Sequence, residues 1–375
     1  MFTSSAAAPA DRLEIVANLR TALASVMTVT GYEFQNNGVI RLWGILLAPP
    51  DQAYRALRPR VEQMGYTPFL REYKDGASGH AGHEVLAVPG VVPRPSSNPT
   101  LNLILFVATV GSVILSGSVF SQTGQLDLGA GLAFAGSLLG VLVTHEMGHY
   151  LVGRLRGAPV SLPYFIPMPS ILFGMFGFGT LGAVIVQREP FEDRRTLLEV
   201  GLAGPLAGFI VAVPLLAIGL ALSTVKPFET PALGGAIYFG DSLLTGLIKV
   251  FVYGRYVPSA GMIEHPLYLG AWLGLLITGI NLIPAGQLDG GHVAYAVLGQ
   301  AARYLYYAML VIFLGLTVFV SQSWLLWTVL LFLFGRNHPP ALNQAARLEP
   351  QHYALALIGC LVLLLVFMPN PLWVA

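Results

Sequence analysis

Seven apolar runs, at 101–120, 130–154, 197–222, 266–284, 302–320, 322–336 and 353–372, lie near the ~20-residue length that an α-helix needs to cross a bilayer. They constrain the fold more than any other feature. In hydrocarbon the backbone has no water to bond to, and a continuous apolar run meets that demand by closing its hydrogen bonds within one helix. Composition agrees: 55% of the 375 residues are hydrophobic and 10% charged, against roughly 25% charged in an ordinary soluble domain. The fold class expected is mostly α, a polytopic helical membrane protein of about six or seven spans. A formal charge of +1 offers no concentrated basic surface and argues against a nucleic-acid partner. Cys360 is the single cysteine, so no intrachain disulfide and no cysteine-based metal cluster is available. A metal site in this chain must draw on histidine and carboxylate.

Charge is distributed unevenly: nine of the twenty Lys and Arg residues and eight of the nineteen acids fall before residue 98. That imbalance marks residues 1–90 as a small soluble α+β domain. Within it GVIRLWGIL (38–46) reads as a strand, PDQAYRALRPRVEQMG (50–65) as an amphipathic helix stopped by Gly65, and YTPFLREYK (66–74) as a second strand. HEVLAVPG supplies a third strand. The Pro-rich stretch 91–100 reads as an extended linker, 101–300 as a membrane core and 301–375 as additional C-terminal transmembrane helices. If the N-terminal domain is cytoplasmic, alternating the spans puts Arg154, Arg156, Arg188, Arg194, Arg195, Arg303, Arg336 and Arg347 inside. Lys226, Lys249 and Arg255 then fall outside, in the sense of the positive-inside bias. Two segments do not read as simple spans. The stretch 161–186 carries three prolines and four glycines and is expected to be a re-entrant loop or hairpin, while 233–252 is expected to be an amphipathic helix on the outer surface.

Residues 141–150 read VLVTHEMGHY, inside the second apolar run. His145 and His149 are four apart, so on a helix their imidazoles project from one face and can share a metal ion. Glu146 stands beside them as a candidate general base for an attacking water. A catalytic zinc takes three protein ligands and keeps a fourth position open, so a third ligand is required. Glu189, Glu192 and Asp193 are interspersed with arginines and look like a solvated interfacial loop, and Glu199 is a further candidate. Asp289 differs, because it lies in NLIPAGQLDGGH, where Pro284, Gly286, Gly290 and Gly291 break a helix and a carboxylate is costly unless it meets a cation or a metal. His292 is expected to orient Asp289 or cap the next helix, and Asn281 to satisfy backbone groups freed at the helix break. His80, His83, His265, His338 and His352 read as surface or interfacial residues. AGPLAG (203–208) reads by default as helix packing.

HEMGH on one membrane helix, AGPLAG on a later one and NLIPAGQLDGGH further on resemble the site-2 protease family of intramembrane zinc metalloproteases. The resemblance covers about residues 101–300. It implies that His145, His149 and Asp289 are ligands of one Zn²⁺ per chain, with Glu146 as the catalytic base. It also implies that Asn281 holds substrate or the developing oxyanion. The Gly-rich segment 174–182, with Gly177 and Gly179, looks like the family's re-entrant loop, whose edge pairs with an extended substrate strand. Many members carry a PDZ domain between the spans here numbered three and four, whereas this chain has about 43 residues there. It therefore resembles the type without a PDZ domain and with a soluble N-terminal domain. Where the family often has Asn-Pro-Asp-Gly, this chain has Gln287, Leu288, Asp289 and Gly290.

The expectation is thus a zinc endopeptidase that cleaves single-span membrane proteins near the cytoplasmic face, releasing a regulator or clearing membrane remnants. A competing reading is a multi-span zinc protease with a glutamate as third ligand. Another is a metal-dependent transporter or a non-catalytic adaptor, which an intact Glu146 and the lack of repeat symmetry disfavour. The N-terminal domain is expected to face the cytoplasm and to receive a regulatory partner. The opening MFTSSAAAPADRLE has neither a signal-peptide nor a transit-peptide pattern, which points to a bacterial inner membrane.

Overall fold

Period-two burial in β2 (Ile40–Leu46) sends Ile40 and Leu42 to one side of a sheet, and a helical spacing in α2 (Pro50–Gln63) buries Ala53, Tyr54, Leu57 and Val61 on one face. These two faces make the core of the first of two units. The computed structural model describes residues 9–74, 81–91, 98–120, 125–169, 177–187, 189–226, 237–334 and 338–374, and the chain divides into two units. The first comprises Met1–Arg94, Arg188–Leu197 and Pro339–Glu349. Its elements are α1 (Pro9–Leu23), β1 (Met27–Phe34), β2, α2, β3 (Tyr66–Lys74) and β4 (Ala81–Pro89), and the antiparallel sheet runs β1-β2-β4-β3. Val16, Leu19 and Leu23 of α1 pack with the α2 face over Leu70, Val85 and Ala87. Inside this core the Tyr54 hydroxyl donates to the Pro68 carbonyl at 2.9 Å, and burial pushes its pKa well above the ordinary phenol value.

The sequence reading placed β2, α2, β3 and β4 within a few residues of their observed limits but did not include α1 or β1. Glu189, Glu192 and Asp193, expected in a solvated interfacial loop, instead belong to the first unit. Glu189, 5% exposed, pairs with Arg58, and Asp193 accepts from the Thr196 amide at 2.7 Å. Leu342 and Asn343 lie beside this segment, their amides donating to Phe191 and Glu192 carbonyls, while the Leu70 amide of β3 donates to the Leu342 carbonyl and the Gln344 amide donates to the Leu70 carbonyl. The 342–344 piece thereby pairs with the β3 edge at Leu70, which would otherwise present an unpaired N–H and C=O, and the 191–192 piece pairs with it in turn.

The second unit comprises Pro95–Gln187, Leu198–His338 and Pro350–Ala375. It carries α3 (Pro99–Gly117), α4 (Leu128–Leu155), β5 (Tyr164–Met168), β6 (Gly179–Val184) and most of α5 (Arg194–Ala221), then α6 (Leu243–Tyr253), α7 (Pro266–Asn281), α8 (Asp289–Leu298), α9 (Ala302–Phe319), α10 (Leu325–Phe334) and α11 (Pro350–Val366). Asn98 caps α3 by accepting from the Leu101 amide, and Asp127 caps α4 by accepting from Gly129 and Ala130. Close helix approach depends on missing side chains. A Cβ on Gly270 would lie 2.3 Å from the Phe134 carbonyl oxygen and one on Gly274 2.7 Å from Val141 Cβ, so the small face of α7 lies directly on α4.

Among the described residues, four helical stretches are long and apolar enough to cross a membrane: Pro99–Gly117, Leu128–Leu155, Arg194–Ala221 and Asp289–Phe319. The expected spans at 266–284, 322–336 and 353–372 are represented by α7, α10 and α11, of 16, 10 and 17 residues. Mostly helical and rich in apolar helices, the protein is of membrane class; the count of six or seven is not reached by length alone. Part of the expected re-entrant segment forms the antiparallel β5–β6 hairpin, while 170–176 lies outside the described residues. Of the helix expected over 233–252, residues 233–236 lie outside the described residues, 237–239 form a short strand, and α6 begins at Leu243, where Ser242 and Thr245 close a capping box. Lys249 of that helix is fully buried, its ammonium 2.8 Å from Asp241.

Candidate active site

His145 and His149 occupy successive turns of α4, and Asp289 opens α8 directly after the turn that ends α7. His145 Nε2 and His149 Nε2 are 3.2 Å apart, and Asp289 Oδ2 is 3.2 Å from the first and 3.3 Å from the second. Ligand atoms about 2.0–2.1 Å from a tetrahedral zinc stand about 3.3 Å from one another. The three atoms therefore outline one face of a zinc tetrahedron and leave its fourth corner for water or substrate. All three residues are the sole group of this kind among the described residues.

The surrounding atoms prepare both histidines for that task. His149 Nδ1 is 2.7 Å from the Val200 carbonyl, which accepts from the ring N–H and leaves the Nε2 lone pair free. Thr278 Oγ1 donates to the Gly274 carbonyl at 2.9 Å and stands 3.4 Å from His145 Nδ1, where its oxygen can accept the ring proton. Asn281 Nδ2 lies 3.4 Å from His145 Nε2, so the α7 face that carries Thr278 also brings the Asn281 amide to the ligand cluster. Glu146, 6% exposed, follows His145 on α4. A Cβ on Gly204 would fall 2.1 Å from His149 Nε2, and one on Gly208 3.3 Å from His145 Nδ1. The AGPLAG glycines thus open the space in which the ligating atoms converge, which packing alone did not anticipate.

Other residues singled out in the sequence fall elsewhere. Gly179 opens β6 at φ +85°, where a Cβ would stand 2.5 Å from Val113 Cα; it permits the hairpin to rest on α3. Gly177 lies just ahead of that strand. Glu199 is taken up by an ion pair with Arg156 and lies 3.4 Å from His352 Nε2. Glu192 is paired with Arg55 and Arg58 in the soluble unit. His352, 4% exposed, is a buried partner and not a surface residue. His292 does not cap α8, whose cap is Leu288; its Nδ1 is 2.7 Å from His338 Nε2, and the His338 ring stacks on Tyr295 at 4.4 Å. His265 caps α7 by accepting from the Leu267 amide. His83 lies on β4, paired with Gly44 and Glu72, and His80 is outside the described residues. Thr278, Val200 and Gly204 were not assigned to the centre in advance. The available signal was Thr278, a hydroxyl inside an apolar helix three residues before Asn281.

Two histidines one turn apart, a carboxylate from a broken helix junction and a neighbouring glutamate, all carried by apolar helices, define a class: helical membrane proteins with a zinc centre of the open, catalytic kind. The profile of Peptidase family M50 matches residues 133–320, and the chain belongs to that family, the site-2 proteases. From Arabidopsis thaliana, "Probable zinc metalloprotease EGY1, chloroplastic" is 30% identical over 298 residues, which cover 72% of this chain and 53% of the relative. "Probable zinc metalloprotease EGY2, chloroplastic" from the same plant is 30% identical over 370 residues, 92% of this chain and 62% of the relative. The EGY2 protein of Oryza sativa subsp. japonica is 32% identical over 299 residues, 75% of this chain and 53% of its own. The chain thus spans between about half and three-fifths of the length of these relatives. No solved structure matches it. Zinc, the metal in the relatives' names, is the ion that the triangle of ligand atoms fits.

Proposed function

We propose that this protein is an intramembrane zinc endopeptidase that cleaves a single-span membrane substrate near the cytoplasmic face, in regulated proteolysis or in clearing membrane remnants. The observation that carries the reading is the 3.2–3.3 Å triangle of His145, His149 and Asp289 atoms on apolar helices, with Glu146 adjoining it. Zinc bound there supplies Lewis-acid polarisation of the scissile carbonyl and lowers the pKa of water. His145 and His149 present their Nε2 atoms in the tautomer fixed by Thr278 and Val200, and Asp289 adds the anionic ligand. Glu146 takes the proton from the attacking water and delivers it to the leaving amine nitrogen. Asn281 offers an amide N–H to the carbonyl oxygen as negative charge develops on it. A transmembrane helix hides each peptide bond in its own hydrogen bonds, so the substrate must unwind locally before attack. Gly177 and the β6 edge at Gly179 are assigned to receive that extended stretch.

The proposal sets the protein in a bilayer with the soluble unit on the cytoplasmic side, supported by the arginine distribution in the sequence. A bacterial inner membrane draws no support from relatives named chloroplastic. A regulatory partner is proposed for the soluble unit, whose sheet face opposite α1 and α2 carries Arg41 over the rings of Trp43 and Tyr73, at 5.4 and 4.9 Å. The test is cleavage of a panel of single-span substrates by purified wild type and Glu146→Gln. Wild type should cut within the span, and the variant should be slower by roughly 10²–10⁴-fold at equal zinc content. Equal rates would remove Glu146 from the mechanism.

A further inference from the structure

Beside the turn that delivers Asp289, a cavity of about 360 Å³ opens between α8 and the start of α9. Pro284, Gly286 and Gly291 are in its wall. Its polar lining is Arg303, His338, Gln300, Tyr295 and Tyr306, and among the described residues no aspartate or glutamate contributes to it. A permanent cation, an imidazole, an amide and two phenols without a carboxylate form a set that suits an anion carrying several acceptor oxygens. Its place in the chain narrows the anion further. Arg303 is the second residue of α9, and from there the helix turns a strongly apolar surface outward: Val311, Leu314 and Val318 are 70%, 56% and 64% exposed. Tyr304 and Tyr307 are also exposed at its beginning, as in the aromatic belt of a membrane interface. The Arg303 guanidinium lies 4.8 Å from the Tyr304 ring and donates to its hydroxyl at 2.9 Å, which leaves further N–H donors for a ligand.

We infer that this cavity binds the phosphate head group of an anionic phospholipid, with the acyl chains lying along the exposed side of α9. The charge set recognises phosphate, and the adjoining apolar helix face selects a lipid over a free ion. The inference requires α9 to lie in a bilayer but does not require the metal centre to cleave peptides.

The experiment uses the full chain in nanodiscs of phosphatidylcholine mixed with phosphatidylglycerol. After extraction into neutral detergent, retained lipid is identified by mass spectrometry, and zinc is counted in every sample. Wild type should retain phosphatidylglycerol selectively, and Arg303→Gln should retain about tenfold less. Arg154→Gln, which removes another arginine outside the cavity, should behave as wild type, and added inorganic phosphate should not displace the lipid. An equal fall in both variants would mean diffuse surface attraction and would overturn the site. So would the absence of selective retention in wild type, and displacement by inorganic phosphate would make the ligand a soluble anion instead. Because zinc is counted separately, a failed lipid site is distinguishable from a failed protease assignment.

Discussion

At residue scale the centre depends as much on absent atoms as on present ones. His149 Nε2 stands where a Cβ of residue 204 would lie, 2.1 Å away, and that Cβ would press on the ligating atom from helix backbone that cannot yield. Gly204→Ala should therefore lose zinc, while Gly136→Ala on α4, whose Cβ would meet nothing within 4 Å, should keep it. Zinc quantified in the two purified variants checks this, and equal zinc in both would show that the glycine is unrelated to the ligand geometry. The same crowding explains why a sequence reading assigns AGPLAG to packing: small residues permit close approach, but the pattern does not say what approaches. Here it is the imidazole of His149. That His145 and His149 share a face was legible because helical periodicity fixes it, with Glu146 the next residue on the same helix. Asp289 was legible because a carboxylate in apolar sequence calls for a cation.

Among the elements, α7 does the most to align the site. Gly270, Gly274 and Thr278 recur every four residues, so one stripe of the helix faces α4 and sets the Thr278 hydroxyl against His145. Thr278→Val keeps the shape and removes the acceptor for the His145 ring proton. Zinc affinity should fall by roughly 10–100-fold, whereas Thr278→Ser should stay close to wild type, as read by competition with a metal chelator. Unchanged affinity in the valine variant would mean that another group holds the tautomer. Helices and strands with strong periodicity, such as α2 and β3, were readable in the sequence. β1 was not, because its register shifts between Val29 and Gly31 and interrupts the alternation. α10 begins only after the 3-10 turn Gln322–Trp324, because hydropathy measures solvent preference while the start of a helix is set by local backbone chemistry.

For the whole molecule, what the sequence concealed is long-range assembly. The β3 edge at Leu70 pairs with residues 342–344, which pair in turn with 191–192, and no local pattern announces that loops so far apart complete one soluble unit. The candidate third ligands differ in the partners they meet. Glu189 and Glu192 are held by arginines of the soluble unit, and Glu199 is paired with Arg156 and stands beside His352, whereas Asp289 alone closes the triangle with the two histidines. The direct measurement is zinc per chain in folded wild type, Asp289→Ala and Glu199→Ala, with helicity followed by circular dichroism. Wild type and Glu199→Ala should each hold about one zinc, and Asp289→Ala close to none. Full zinc in Asp289→Ala, together with its loss from Glu199→Ala, would contradict the ligand set.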